Sequence, residues 1–296
     1  METVTLWGAK LSSLWKGLMR PIQEVAEDLE INPRELILLG KYKAKIPLSQ
    51  INKTRDKGKL IIVTGITPTP AGEGKTTMTV GLAQGLGRIG ESVAATLREP
   101  SLGPIFGIKG GGTGGGRSRV EPEDEVNIHF TGDAHAVGSA HNLLAALTDN
   151  VAQRGKIDGF APKDITFRRV TDIQERSLRN VITGIGGSSS APLRESGFDI
   201  VAASEIMAIL ALSSDLNDLR SKLGEVVVGY KHGSEPVTAS DIGAVGSMMA
   251  LLRYALQPNL VQTTEGQPVF VHTGPFGNIA HGCCSVVADQ LALSCA

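Results

Sequence analysis

Residues 69–77 decide how this sequence is interpreted, and they read Thr69-Pro70-Ala71-Gly72-Glu73-Gly74-Lys75-Thr76-Thr77. The apolar run Leu60-Ile61-Ile62-Val63 comes before them, and apolar residues at helical spacing follow from Met78. A glycine-bearing loop that ends in Gly-Lys-Thr between a strand and a helix is typical of a phosphate-binding loop. Its backbone N–H groups and helix N-terminus face phosphate oxygens, and the lysine adds a full positive charge. The pattern predicts that all nine residues bind a nucleotide; the alternative is a coincidental helix start.

The sequence around this loop predicts the fold class. Residues 60–66 and 93–97 are expected to be strands, with one helix between them, which indicates a βαβ unit with parallel strands. Further apolar runs, at 198–203, 226–228 and 268–272, alternate with helical patterns. This alternation favours an α/β fold of the phosphate-loop NTPase type, with a mostly parallel sheet and helices on both faces.

Composition limits the classes of partner. The chain has 296 residues, a formal net charge of -1 and 41% hydrophobic residues, so no global basic field attracts nucleic acid or anionic lipid. No apolar stretch reaches membrane-spanning length, and the first 20 residues lack a signal-peptide pattern. The 3 cysteines lie near the C-terminus without metal-ligand spacing, which favours reduced thiols and a cytoplasmic protein.

Two residues after the strand at 93–97 are candidates for catalysis. Ligands of parallel sheets bind at the carboxyl ends of strands, and Arg98 and Glu99 stand at such an end. Arg98 can neutralise the oxygens of a transferring phosphoryl or acyl-phosphate group; alternatively, it is a surface arginine paired with Glu99. In the loop itself, Lys75 is expected to reach the terminal phosphates and Thr76 to offer its hydroxyl to Mg²⁺.

Several other candidate side chains have alternative interpretations. Asp133 is either a Mg²⁺ carboxylate or the cap of a helix beginning near residue 134, and Glu205 is the alternative metal-side carboxylate. Phe276 lines a base pocket or packs in the core. His135 and His141 are six apart, off the helical spacing of a metal pair, which favours structural histidines.

The glycine-rich segment 103–116 contains Ile105, Phe106 and Ile108, which a plain linker does not need. We therefore expect a structured loop that brings backbone close to a ligand.

Several motifs together resemble one family, the formate–tetrahydrofolate ligases. They are residues 67–77 and, downstream, Leu97-Arg98-Glu99-Pro100-Ser101-Leu102-Gly103-Pro104, Phe106-Gly107-Ile108-Lys109-Gly110-Gly111, His129-Phe130-Thr131-Gly132-Asp133, Gly274-Pro275-Phe276 and Asn278-Ile279-Ala280-His281-Gly282, with Gly40-Lys41-Tyr42-Lys43-Ala44-Lys45 upstream. The family also begins its loop with threonine, as Thr69 does here.

The resemblance implies an ATP-dependent ligase. In such an enzyme formate attacks the γ-phosphate of MgATP to give formyl phosphate and ADP, and tetrahydrofolate then takes the formyl group. The family's catalytic lysine and arginine correspond to Lys75 and Arg98. Its monovalent-cation requirement, K⁺ or NH₄⁺, makes Glu99 a nearby carboxylate for that ion. Members that this chain resembles are tetramers, so the resemblance implies a homo-oligomer.

The sequence also departs from the family. Arg117 stands where an aromatic is common, Thr113 varies the glycine loop, and Cys284 replaces a small polar residue. We expect residues 1–58 to form a helical segment that packs on a nucleotide-binding domain, 59–296. Family members continue well beyond Ala296, so we expect this domain to be truncated at its C-terminal end. The partner expected is then a missing C-terminal half, and activity of the chain alone is in doubt. The alternative function is a non-catalytic nucleotide-binding assembly or regulatory protein derived from this family.

Overall fold

A computed structural model describes residues 19–51, 58–67, 69, 72–106, 112–186, 190, 193–275 and 284–295. The chain divides into two compact units. The first unit comprises Met1–Thr131, Gln257–His272 and Gly282–Ala296, and the second comprises Gly132–Leu256 and Thr273–His281. The predicted boundary near residue 58 stays a prediction.

The described strands and helices confirm a mixed α/β protein. The strands are β1 Ile37–Leu38, β2 Ala44–Lys45, β3 Ala95–Leu97, β4 Gly114–Gly115, β5 Ser118–Glu121, β6 Arg169–Thr171, β7 Val181–Thr183, β8 Arg194–Ser196, β9 Phe198–Ile200, β10 Val227–Tyr230, β11 Pro236–Thr238, β12 Asn259–Thr263 and β13 Pro268–Val271. The helices are α1 Ile22–Glu27, α2 Lys75–Arg88, α3 Leu102–Ile105, α4 Glu123–Asn127, α5 Asp133–Gln153, α6 Glu205–Leu212, α7 Leu216–Gly224, α8 Ala239–Ile242, α9 Val245–Leu252 and α10 Val286–Cys295. In these regions every helix is too short or too polar to cross a membrane.

The main sheet belongs to the first unit and is mostly antiparallel, so the prediction of a mostly parallel sheet is wrong. Its order is β1-β2-β12-β13-β3, with β5 also on β12 and β4 on β5. Of its described pairs, only β13 with β3 is parallel. The reason is local: a turn with Gly266 at φ 92 joins β12 directly to β13, and a tight turn can join only antiparallel neighbours.

The strand predicted at 60–66 is also wrong. The segment has no regular secondary structure, and the side chains of Leu60, Ile61 and Ile62 are 61%, 57% and 59% exposed. The chain just before this segment is hydrogen-bonded to α10: the N–H of Gly58 donates to the carbonyl of Leu293 at 2.9 Å. An apolar run becomes a buried strand only where a neighbouring strand accepts its backbone groups, and here the described ladder ends at β3.

Helices cover both faces of the main sheet. Alternate residues of β13 point to opposite faces. On one face Val269 and Val271 pack with Val80 and Ala83 of α2. On the other face Phe270 packs with apolar residues of α1 and α10. The loop helix α2 is therefore fixed to the sheet by its own apolar stripe.

The second unit is built around the long helix α5, which contacts α6, α9 and β6. The strand predicted at 198–203 is confirmed only for Phe198–Ile200, which form β9. Residues Val201–Ala203 form a 3-10 turn instead, and α6 follows. The helical pattern that follows the apolar run at 226–228 comprises two helices, α8 and α9. Gly243 at φ 77 separates them, and Thr238 caps α8 by accepting from the N–H of Asp241.

Candidate functional site

The glycine loop leads directly into α2, as the sequence predicts. Gly72 and Gly74 have φ angles of 84° and 75°, a left-handed backbone that side chains with a Cβ rarely adopt. Within the turn, the N–H of Gly72 donates to the carbonyl of Thr69 at 3.1 Å, and the Thr69 hydroxyl donates to the carbonyl of Gly72 at 3.0 Å. Gly74 is the N-cap of α2, which begins at Lys75. The predicted residues Pro70 and Ala71 lie outside the described residues.

The first turn of α2 presents the groups that phosphate chemistry uses. Lys75 is exposed, while Thr76 and Thr77 are half-buried. The N–H groups of a first helical turn have no partner within the helix, so they are available to an anion. The loop therefore combines turn geometry, helix terminus and lysine in one place.

Glu73 adds an interaction that the sequence patterns do not reveal. Its carboxylate forms an ion pair with the ammonium group of Lys75 and accepts a hydrogen bond from the backbone N–H of Thr69. The hydrogen bond from Lys75, and then that from Thr69, hold the pKa of the Glu73 carboxyl below its usual range. The lysine is thus already paired with an anion.

The second glycine element lies against α2. Strands β4 and β5 form a hairpin that contacts this helix. A Cβ at Gly115 would lie 3.6 Å from the Thr77 hydroxyl oxygen, and one at Gly81 would lie 3.0 Å from that of Ser118. The described part of the predicted glycine loop is therefore structured and close to the loop at 69–77; residues 107–111 lie outside the described part.

Hydrogen bonds fix this hairpin at its tip. The Gln84 amide donates to the carbonyl of Arg117 at 3.1 Å and to the hydroxyl of Thr264 at 2.7 Å. The Thr264 hydroxyl also donates to the Arg117 carbonyl, at 2.8 Å. Position 117 is thus held through its backbone carbonyl, and its side chain is exposed.

Arg98 and Glu99 follow the end of β3. The side chain of Arg98 is half-buried and Glu99 is buried. Because Leu97 pairs with Val271 in parallel register, the two strands end at the same edge of the sheet. The residues that follow β3 and β13 therefore start from the same edge, although Phe276, further along the second segment, lies outside the described residues.

A buried network anchors this edge, and sequence reasoning missed it. The carbonyl of Leu97 accepts from the N–H of His272 at 3.1 Å and from the thiol of Cys284 at 2.9 Å. The His272 ring contacts the Ser285 hydroxyl at 2.6 Å, and that hydroxyl accepts from the N–H of Ala288 at the start of α10. Burial raises the pKa of the Cys284 thiol, so it is a structural donor and not a reactive group. The Leu97–Arg98 peptide is fixed by these contacts.

The remaining candidates belong to the second unit. Asp133 is buried and is the first residue of α5, after Gly132 at φ 87. It therefore lies within the first helical turn, and Gly132 takes the N-cap position. Burial raises the pKa of the Glu205 carboxyl. Across the described residues, no group of three His, Cys, Asp or Glu side chains is arranged to hold a metal.

His141 has a structural role, as the spacing predicted. Its ring stacks on Phe167 at 4.2 Å between centroids and contacts the Ser204 hydroxyl at 2.8 Å and the Arg168 carbonyl at 3.0 Å. A carbonyl can only accept, so the Nε2–H donates to it, and Nδ1 accepts from Ser204. Burial lowers the pKa of His141 to about 4, which keeps the ring neutral.

Fold and loop together define a class: a mixed α/β protein in which a glycine–lysine–threonine loop opens a helix packed on the central sheet. A family model described as formate–tetrahydrofolate ligase matches residues 15–296. The chain therefore belongs to the formate–tetrahydrofolate ligase family, as its motifs indicated.

Two curated relatives show how far the similarity extends. A formate–tetrahydrofolate ligase of Symbiobacterium thermophilum is 53% identical over 283 residues, which is 95% of this chain and 51% of the relative. One from Saccharopolyspora erythraea is 52% identical over 280 residues, covering 94% of this chain and 50% of the relative. The chain spans about half the length of the curated relatives it matches.

Proposed function

We propose that this chain contributes the ATP- and formate-handling residues of a formate–tetrahydrofolate ligase. The reaction joins formate to tetrahydrofolate and converts ATP to ADP and phosphate. The observation that carries the proposal is the loop at 69–77: a family motif whose two glycines take the left-handed backbone and whose lysine begins a helix.

The chemistry proceeds through formyl phosphate. A formate oxygen attacks the γ-phosphorus of ATP, the bond to the β,γ-bridging oxygen breaks, and ADP leaves. The N10 amine of tetrahydrofolate then attacks the formyl carbon, phosphate leaves, and the amine loses its proton. Both steps depend on positioning and on neutralising oxygen charge, which is what cationic side chains provide.

Lys75 and Arg98 are the proposed catalytic residues. Lys75 begins α2, and the short connection 89–94 joins the end of that helix to the start of β3. Helix α2 has 14 residues, about 21 Å, and packs on β3, so its N-terminus is directed towards the end of the strand where Arg98 follows. In this role Lys75 holds the terminal phosphates and Arg98 neutralises the acyl phosphate.

The metal assignments rest on donor chemistry. Mg²⁺ prefers oxygen ligands, and the Thr76 hydroxyl is an oxygen donor in the first turn of α2. Glu99 supplies a buried carboxylate next to Arg98, a suitable ligand for a monovalent cation. Asp133 is the further carboxylate proposed for a metal, and Phe276 is proposed to line the base pocket. Mg²⁺, when bound, would neutralise phosphate charge.

A ligation assay tests the proposal. The chain is supplied with ATP, formate, tetrahydrofolate, Mg²⁺ and K⁺, alone and mixed with the part of the Symbiobacterium relative that the match does not cover. We expect 10-formyltetrahydrofolate, and a fall of about a hundredfold or more in Arg98→Ala. Absence of product in both assays contradicts the proposal.

Binding of ATP without formate-dependent release of ADP would instead support a non-catalytic nucleotide-binding protein. Light scattering of the same samples tests the proposed homo-oligomer.

A further inference from the structure

The carboxylate of Glu73 is bonded to two donors that a phosphate would use. One is the ammonium group of Lys75, and the other is the backbone N–H of Thr69 at the start of the loop. These donors belong to the two ends of the glycine turn, so a single side chain bridges the loop.

The surroundings hold this side chain in place. A Cβ at Gly65 would lie 3.4 Å from Cγ of Glu73 and 3.6 Å from Nζ of Lys75, so the backbone of Gly65 lies directly beside the ion pair. The Glu73 side chain is only 18% exposed, whereas that of Lys75 is 48% exposed. The acid is therefore the covered member of the pair, and the lysine is open to an incoming ligand.

We propose that Glu73 is an internal anion that a ligand's phosphate must displace from Lys75 and from the Thr69 amide. The inference rests on the proposed nucleotide function of the loop. A phosphate oxygen that reaches Lys75 or the Thr69 amide must first replace the carboxylate as the acceptor. The carboxylate therefore lowers the affinity of the loop for every phosphate ligand.

Two matched variants test this inference. Glu73→Gln keeps the size of the side chain and removes its charge, and Glu91→Gln makes the same charge change at an exposed acid beyond α2. Lys75 is 48% exposed, so water weakens its ion pair with Glu73. We therefore expect Glu73→Gln to bind ATP and inorganic tripolyphosphate about threefold to fivefold more tightly than the wild type, measured by calorimetry at low salt. Glu91→Gln should match the wild type. Equal or weaker binding by Glu73→Gln would overturn the inference.

Lys75→Gln separates this inference from the proposed function. If Lys75→Gln binds ATP as well as the wild type does, the loop is not the nucleotide site and the proposed function fails with it. If Lys75→Gln loses binding while Glu73→Gln leaves it unchanged, only the displaced-carboxylate inference fails. Absence of ATP and tripolyphosphate binding in both the wild type and Glu73→Gln overturns both.

Hydrogen exchange of the unliganded protein tests the contact itself. In Glu73→Ala the Thr69 amide loses its acceptor, so it should exchange faster than in the wild type. The Met78 amide, which donates to the carbonyl of Gly74 at 2.9 Å within α2, should be unchanged. Unchanged exchange at Thr69 would show that the carboxylate does not bridge the loop.

Discussion

At the residue scale, two side chains near the candidate site have specific partners that no periodicity predicts. Cys284 shows this: the sequence marks it as unusual, but only the structure shows its thiol donating to the carbonyl before Arg98. Glu73 is similar, because a glutamate inside a phosphate loop has no fixed role in the motif. Motifs specify which backbone and cationic groups contact a ligand. They do not specify which acidic side chains form ion pairs with those cations when no ligand is bound.

His141 gives the chain a specific acid sensitivity. Its folded-state pKa of about 4 lies below the ordinary histidine pKa of 6.5, so the unfolded state takes up the proton first. The stabilisation is therefore present above pH 6.5 and is lost as the pH falls from about 6.5 to 4, by on the order of 3 kcal/mol. Asp199, a charge that favours protonation of His141, opposes the shift only in part.

Urea unfolding between pH 4 and 7 measures this loss. His141→Gln should remove most of the fall in the free energy of unfolding that histidine protonation causes between pH 7 and 4. The substitution also lowers the free energy of unfolding at pH 7. His135→Gln is the matched control, because His135 is exposed on the same helix and should leave the decline unchanged. Equal pH slopes in wild type and His141→Gln would contradict this assignment.

At the element scale, the start of α2 depends on backbone that only glycine adopts easily. Gly74→Ala meets no atom within 4 Å, so its cost comes from the φ of +75° and not from a clash. We expect a loss of about 1–2 kcal/mol and weaker ATP binding, because the first turn would be displaced. Gly85 is the control: it lies inside the same helix, in open space, and Gly85→Ala should stabilise the protein by about 0.5–1 kcal/mol. Thermal unfolding of both variants measures the difference, and equal effects would contradict the proposed loop backbone.

The segment 60–66 shows where sequence reasoning stops. Its apolar run correctly marks the approach to the glycine loop at 69–77 and the helix that follows, both of which depend on local residues. Whether the run becomes a strand depends on a partner elsewhere in the chain, and the antiparallel pairing of β12 and β13 is likewise decided by a turn that the alternation of apolar runs does not encode. Local geometry of the candidate site was therefore predictable, whereas sheet direction was not.

Substitution of Ile61 tests whether residues 60–66 are an exposed irregular segment or a buried strand. Ile61 is 57% exposed, so Ile61→Ser should change the free energy of unfolding by less than about 1 kcal/mol. Val269→Ser, in the buried strand β13, is the comparison and should cost about 2–4 kcal/mol. A cost at Ile61 equal to that at Val269 would show that residues 60–66 are a buried strand after all.

At the scale of the whole molecule, the family membership and the loop chemistry agree. The family match covers residues 15–296, and the loop, the end of β3 and the glycine hairpin that the proposed chemistry uses all lie in the first unit. Under the proposed function this chain activates formate with ATP, and formate attacks a nucleotide held by Lys75.

The formate dependence of ADP release tests that claim most directly. Release is measured for the chain mixed with the uncovered part of the Symbiobacterium relative, with ATP, Mg²⁺ and tetrahydrofolate present and formate varied. The account predicts that release rises with formate and saturates, that Lys75→Ala loses it by about a hundredfold or more, and that Lys59→Ala, at an exposed lysine outside the loop, retains it. Release that does not depend on formate, or that survives in Lys75→Ala, would contradict the account.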